Sequence, residues 1–284
     1  MTILYIYNST QDHFEIIESI IVNHKQIINV DATKIYIHYK QYGKQGGSFI
    51  KYINEKYPDI IIGKPENFDY QISSTIYDRK NYIKYLKESK NHFYISHEVT
   101  NRLKKFNNVF FLTPLSGKNY FKCDVLPYNK QKILSKVPIY IIQGNITKKR
   151  RNFNLLKKIL NNNYKYDFKI KFLGREREGI GNFFKKKYPN KIILKQKIND
   201  FKDFHREFLN GYCILPLITK KSHKQYYTNK LTSTMNYASG YKLKCLIDRN
   251  LQNIYKLEDV EIFDDENNIV EAFKKTLQDF YDNN

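Results

Sequence analysis

The chain has 284 residues, 41% of them hydrophobic and 15% aromatic, and a formal charge of +21. That length suits two domains of roughly 130 residues each, and the apolar content excludes a disordered chain. No apolar run reaches the ~18 residues of a membrane span, and the start, MTILYIYNST, lacks the basic segment and apolar stretch of a secretory signal.

Cys123, Cys213 and Cys245 are far apart and offer neither a metal spacing nor an even disulfide set. A reducing, cytoplasmic setting is the simple reading. Arginine supplies only eight of the 49 basic residues, while Lys, Ile, Asn and Tyr abound and Trp is absent. That is the profile of an AT-rich gene, as in a large DNA virus or an AT-rich microbe, and it accounts for most of the charge. A basic nucleic-acid-binding protein remains the alternative on charge alone. Against it, the chain has no zinc-ligand spacing, helix-turn-helix signature or aromatic RNA-binding motif. The same charge would suit peripheral contact with an anionic membrane surface.

In chain order, Ile3–Tyr7 reads as an apolar strand. Asp12–Val22 carries Phe14, Ile17, Ile20 and Ile21 at helical spacing. Lys34–Tyr39 is strand-like, Gly43–Gly47 reads as a tight turn, and Ser48–Lys56 as a helix ended by Pro58. Asp59–Gly63 is a short buried strand and Asn81–Glu88 a helix. Phe93–Ser96 and Val109–Leu112 are strands flanking a short helix, Val99–Lys105. Lys122–Lys136 is a polar, proline-containing boundary.

A second alternation follows. Val137–Gln143, Phe168–Leu173, Ile192–Leu194, Tyr212–Leu217 and Leu243–Ile247 read as strands. Arg150–Leu160, Phe201–Leu209, Lys230–Ala238 and the amphipathic Asn268–Tyr281 read as helices. Such βα alternation implies parallel sheets with helices on both faces. The expected organisation is two doubly wound, Rossmann-like α/β domains, 1–130 and 137–263, with a closing helix in 264–284. Ligand would bind at the carboxyl ends of their strands.

Three strand-to-helix turns of the second half could face a ligand. Gln143-Gly144 leads into Lys148–Arg151, and Leu173-Gly174 into Arg175. The third is Gly211–Asp248. No Asp or Glu occurs between Glu207 and Asp248, while Lys220, Lys221, Lys224 and Lys230 precede the small-residue stretch Leu231-Thr232-Ser233-Thr234. Helix-start amides with nearby lysine suit an anion, above all phosphate. Taken singly, a Gly after a strand is common turn chemistry.

The order Ile141-Ile142-Gln143-Gly144, Lys149-Arg150-Arg151, Phe172-Leu173-Gly174, Ile214-Leu215-Pro216-Leu217, Asn229-Lys230-Leu231-Thr232-Ser233 and Ala238-Ser239-Gly240 before a strand resembles the C-terminal domain of GT-B glycosyltransferases. The resemblance covers about Val137 to Asp282, and the first half only in pattern. It implies two Rossmann-like domains facing a central cleft and a last helix crossing back to the first domain. It implies transfer of a sugar from a UDP-, GDP- or dTDP-linked donor to a glycan, lipid or protein hydroxyl. Gly144 with Arg150 or Arg151 would meet the diphosphate, Gly174 would lie near base or ribose, and Lys230, Thr232 and Ser233 would hold phosphate. The lysine charge would make a metal unnecessary, and no cofactor is called for.

One departure matters. Many retaining members carry two glutamates in the segment corresponding to Pro216–Gly240, and this chain has none. An inverting enzyme needs instead a base in the first domain. Ser96-His97-Glu98, after a strand, supplies His97 and Glu98, which could equally cap the helix expected from Val99. Asp12 and His13 are the second choice. Asp264-Asp265-Glu266 reads as the acidic start of the last helix rather than as a metal site. A non-catalytic carbohydrate- or nucleotide-binding relative of the fold would carry much of the same pattern.

Overall fold

The computed structural model describes residues 1–10, 13–39, 44–78, 83–84, 86–127 and 131–283. The chain forms two compact units. The first comprises Met1–Leu126 with Asn199–Lys202 and Thr228–Leu231, and the second Pro127–Ile198, Asp203–Tyr227 and Thr232–Asn284.

In the first unit six strands make one parallel sheet: β1 (Ile3–Asn8), β2 (Lys34–Tyr39), β3 (Ile61–Ile62), β4 (Tyr70–Ile76), β5 (His92–Ser96) and β6 (Val109–Phe111), in the order β3-β2-β1-β4-β5-β6. Leu4, Ile6, Ile37 and Tyr39 share one sheet face, each at most 2% exposed. Two helices, Phe14–Asn23 and Lys44–Lys56, pack there: Phe14 and Phe49 lie 4.9 Å apart between ring centroids and both meet Tyr39. Burying such side chains stabilises by roughly 1.5–3 kcal/mol each. A buried carboxylate, Glu18, ties the two helices by accepting from Tyr52, Lys56 and Tyr57.

Three expectations need correction here, and one strand was missed. The helix begins at Lys44, so Gly47 is helical rather than part of a turn, and Gly43 lies outside the described residues. Val99–Lys105 forms only a single 3-10 turn, Leu103–Lys105. Strand β3 is a two-residue edge with Ile61 36% exposed, not a buried strand. Central strand β4 was not expected at all, because Ser73-Ser74-Thr75 breaks its apolar pattern although Ser74 and Thr75 are buried. The stretch 81–88, read as a helix, includes residues outside those described.

The second unit repeats the plan. Its strands are β7 (Ile139–Gln143), β8 (Lys169–Leu173), β9 (Ile192–Lys195), β10 (Cys213–Ile214), β11 (Lys244–Asp248) and β12 (Val260–Phe263), all parallel, in the order β12-β11-β10-β7-β8-β9. Read from β9, this is the strand order of the first sheet. Helix Phe153–Leu160 is started by Asn152, whose side chain accepts from Asn154 N at 3.1 Å. With helix Ile180–Lys187 it covers Tyr140, Ile142, Ile170 and Phe172. Helix Phe201–Leu209 covers the opposite face, where buried Lys171 on β8 reaches Glu207 Oε2 at 2.9 Å, Glu207 O at 2.7 Å and Asn210 Oδ1 at 2.7 Å.

Helices Ile180–Lys187, Gln225–Thr228 and Arg249–Tyr255 and strand β12 were not anticipated. The closing helix, Ile269–Asp282, expected to reach the first domain, buries Ile269, Phe273 and Leu277 in the core of its own unit. All three cysteines are buried, and among the described residues none forms a disulfide. Among the described residues no helix is long and apolar enough to cross a membrane.

Candidate functional site

Doubly wound sheets bind ligands beyond the carboxyl ends of their strands, where loops are free to carry chemistry. In the first unit that edge gathers titratable side chains. Beyond β5, Ser96 Oγ donates to Glu98 O at 2.9 Å and accepts from Glu98 N at 3.2 Å. This tight turn drives His97 inward, to 8% exposure, and leaves Glu98 outside.

The His97 ring lies 4.1 Å from that of His13, which follows β1, and 6.3 Å from Tyr77, which follows β4. His13 Nε2 and Tyr77 Oη are 3.3 Å apart, and His13 Nδ1 is 3.6 Å from Glu15 Oε1. Three non-consecutive segments thus meet at one spot. His13 has a left-handed backbone, φ 72°. For a residue other than Gly that conformation costs of order 1–3 kcal/mol, and such strain persists where the surroundings fix it, commonly at sites of function.

Burial first, then the neighbouring His13 and Lys230, holds the His97 pKa well below the ordinary histidine value. His97 is therefore a neutral imidazole, and its Nε2 is buried without a hydrogen-bond partner among the described residues. An orphaned buried ring nitrogen is expensive, by about 1–3 kcal/mol, and calls for an explanation.

Residues 228–231 belong to this unit. Leu231 N donates to His97 O at 3.1 Å, Val99 N donates to Asn229 O at 2.8 Å, and Lys230 Nζ sits 2.8 Å from Glu98 Oε1. Lys230 is thus an ion-pair partner of Glu98, both side chains about 30% exposed. Thr232 and Ser233, expected to act beside it, lie in the second unit.

At the carboxyl edge of the second unit the chemistry is mostly backbone. Gly144 and Gly174, expected to approach a ligand, approach each other. A Cβ on Gly174 would stand 2.9 Å from the Gly144 carbonyl carbon and overlap its oxygen. Both have positive φ, 99° and 138°, and Ile146 N donates to Arg175 O at 2.9 Å. Turn-to-turn packing therefore explains this pair of glycines.

Arg151, expected at the diphosphate, is 5% exposed and directed inward. Its guanidinium donates to Gln143 O, to Arg150 O at 2.8 Å and to Thr234 Oγ1 at 2.9 Å. Burial pulls its pKa down to about 10, so it stays charged at neutral pH. Arg150, half-buried, donates to Tyr226 Oη at 2.9 Å.

Thr234 Oγ1 in turn donates to Gln143 Oε1 at 3.2 Å, so Arg151, Thr234 and Gln143 clamp the start of helix Thr234–Tyr241 to the end of β7. Thr232 is buried, its N–H donating to Tyr255 Oη at 3.2 Å. Ser233 is the helix N-cap and makes no side-chain cap. The first-turn amides therefore have no side-chain acceptor from it, which is the state in which a helix start takes an anion.

Sequence reasoning missed two residues of this edge. His223 is 1% exposed, 2.7 Å from Ser222 Oγ and 3.3 Å from Lys148 O, and burial lowers its pKa. Leu217, beyond β10, has φ 52° and a carbonyl that accepts from Asn152 N at 2.6 Å. A lone His carries no signal in sequence, and Leu217 entered there only as the end of the Ile214–Leu217 run, with no role of its own. Among the described residues no group of three His, Cys, Asp or Glu could hold a metal ion.

No family model matches the chain, and no curated protein does. Solved structures do. The S. aureus MnaA–UDP co-structure matches at a TM-score of 0.52 and 11% identity, covering 99% of this chain and 89% of that one. WaaG, a glycosyltransferase involved in lipopolysaccharide biosynthesis, matches at 0.46 and 9%, with 97% and 90% coverage. The wall teichoic acid polymerase TagF matches at 0.34 and 14%, with 99% and 83% coverage. The MnaA likeness is one of fold, and with two six-stranded, all-parallel, doubly wound units the chain has the GT-B architecture.

Proposed function

We propose that the chain is a glycosyltransferase that moves a sugar from a nucleotide-diphosphate donor to a hydroxyl acceptor without a metal. The observation that carries this reading is the close His13–His97 pair, ring centroids 4.1 Å apart, at the carboxyl edge of the first sheet. One ring is held neutral inside, and the other is 29% exposed on its side chain. An inverting transfer requires an acceptor hydroxyl to lose its proton as the sugar–phosphate bond breaks.

His13 is the base that would take that proton. Tyr77 and His97 orient it, and neutral His97 adds no competing positive charge. Glu98, one of the two residues first favoured, is engaged with Lys230 and serves to anchor residues 228–231. The other, His97, becomes a positioning residue because its ring is buried.

In the second unit the uncapped start of helix Thr234–Tyr241, reached through Thr232 and Ser233, is the proposed diphosphate seat. The acid-free stretch from Phe208 to Ile247, with exposed Lys220, Lys221 and Lys224, leaves the approach to it positive. A donor held there loses its nucleotide diphosphate into a field that stabilises it.

The test is a thermal-shift and turnover screen with UDP, GDP, dTDP and CMP and their sugars. One nucleotide class should raise the melting temperature, since ligand at 100 times its Kd adds about 2.7 kcal/mol to the folded state. The matching sugar should be hydrolysed or transferred, and His13→Ala should abolish that turnover while leaving the nucleotide shift intact. Absence of any nucleotide shift, combined with salt-sensitive binding of duplex or single-stranded DNA, would replace this reading with the nucleic-acid one.

A further inference from the structure

The first sheet has a second edge that the transferase reading does not use. Ligands of doubly wound sheets gather at the carboxyl ends of the strands, yet a cavity of this unit lies at the amino ends of β5 and β6. It holds about 410 Å³, within the range of small-molecule sites, and is lined by Glu88, Ser89, Lys90, Phe93, Asn107 and Asn108. Strand β5 is five residues long, which puts this edge roughly 15 Å from the one that carries His97.

Asn108 singles the cavity out. It is 5% exposed. Its side-chain nitrogen donates to Lys87 O at 2.8 Å and to His92 O at 2.7 Å. Both partners are carbonyls, so the amide can face them only with its nitrogen. The amide oxygen is turned away from both, buried and without a hydrogen-bond partner among the described residues. A buried acceptor left unpaired destabilises the fold and asks for a donor from elsewhere.

The walls around it are held in place. Tyr94 N donates to Asn108 O at 2.9 Å, and Asn119 Nδ2 donates to Asn107 O at 2.8 Å and to Val109 O at 3.1 Å. Phe93, half-buried, meets Phe110 edge-on at 6.1 Å.

The remaining lining groups narrow the ligand. Glu88 is exposed and makes one long contact, accepting from Asn107 N at 3.4 Å. Lys90 is exposed, and among the described residues neither it nor Glu88 has an ion-pair partner. Ser89 Oγ accepts from Asn91 N at 3.1 Å, which leaves its own proton free to donate. A bare anion would answer Lys90 and leave Glu88 and the Asn108 oxygen unmet. A bare cation would answer those two against repulsion from exposed Lys87 and Lys90. A neutral polyol would leave both charges without a counterpart. A ligand with an ammonium and a carboxylate on one carbon, and an apolar body for the Phe93 ring, answers every group.

We propose that this amino-edge cavity binds a free α-amino acid with an apolar side chain. Its ammonium lies between Glu88 and the Asn108 oxygen, its carboxylate on Lys90 and the Ser89 hydroxyl, and its side chain on Phe93. The site stands on its own lining and does not rest on the transferase reading.

Titration calorimetry of the full chain with L-leucine, L-methionine and L-phenylalanine tests this. At least one should bind saturably at a single site. Its amide, which lacks the carboxylate, and its deaminated acid, which lacks the ammonium, should each bind roughly tenfold more weakly, the loss of one charge-assisted contact. Lys90→Gln should weaken the amino acid by the same factor and leave the amide unaffected. Glu88→Gln should weaken the amino acid and leave the deaminated acid unaffected. Both side chains are exposed, and an unchanged melting temperature shows that each variant folds. No saturable binding of any of the three amino acids overturns the site. So does equal affinity for amino acid, amide and acid, affinity untouched by both substitutions, or saturation by maltose and by no amino acid.

Discussion

The two units are built on the same six-strand order and spend it differently. The second closes both faces of its sheet, to the point of sinking Lys171 under helix Phe201–Leu209, and lines its carboxyl edge with backbone amides, glycines and hydroxyls beside the inward-turned Arg151 and the buried His223. The first has no helix in its third crossover, 63–69, and fills its carboxyl edge with imidazoles and a carboxylate. On the proposed reading one edge holds an anion still and the other moves a proton. A shared topology therefore says where a ligand can bind and nothing about which partner of the reaction each unit takes.

The sharpest way to break this contrast is His13→Ala. If the first edge does the proton chemistry, transfer falls by roughly 10²- to 10⁴-fold with nucleotide binding unchanged. A loss of nucleotide binding instead would move the donor site to the wrong unit.

Gly174→Ala probes the second edge, where the packing of two turns leaves no room for a methyl group. The overlap and the positive φ together should cost about 2–5 kcal/mol of stability by denaturant unfolding. A neutral result would mean that the glycine serves a ligand rather than its neighbour.

Glu207→Ala tests the covered face. It strips Lys171 of its carboxylate while the ammonium stays buried, at a cost of about 3 kcal/mol. The same pair sets a pH dependence. Burial opposes ionisation of Glu207, yet bonds from Lys195 and Lys171 outweigh it and hold the carboxyl below its ordinary value. Its contribution is thus complete above the unfolded carboxylate pKa and is lost as pH falls through the depressed folded one. Glu207→Ala should flatten the acid limb of the stability profile.

The smallest effect belongs to Thr234→Val. The loss of the hydroxyl between Arg151 and Gln143 should lower the melting temperature by the equivalent of about 1–2 kcal/mol. Nucleotide affinity should also fall if the clamped helix start is the phosphate seat.

Much of this architecture was legible in the chain. Apolar runs such as Ile139–Gln143 and Lys169–Leu173, and helical spacings such as Phe153, Leu156, Ile159 and Leu160, are local patterns, and local patterns survive folding. Polar buried segments hid themselves: β4, with its Ser73-Ser74-Thr75, pairs between two apolar strands and needs little apolarity of its own. His97 was visible as a residue after a strand, but its burial was not, because the Ser96 turn and the segment 228–231 fix which way it points.

Sequence by itself settled the apolar strands and most amphipathic helices, the net basic charge and the acid-free stretch before β11, since all three follow from composition and period. Tertiary structure alone decided that Gly144 and Gly174 serve each other, that Arg151 turns inward and that Lys230 answers Glu98. It also brought His13 to His97, across 84 positions of chain, and left the third crossover of the first unit, 63–69, without the helix that the other unit has there. The reason is physical. Period and propensity act over a few residues, whereas charge pairing, close backbone approach and the covering of a sheet face depend on which distant segments the topology lays side by side.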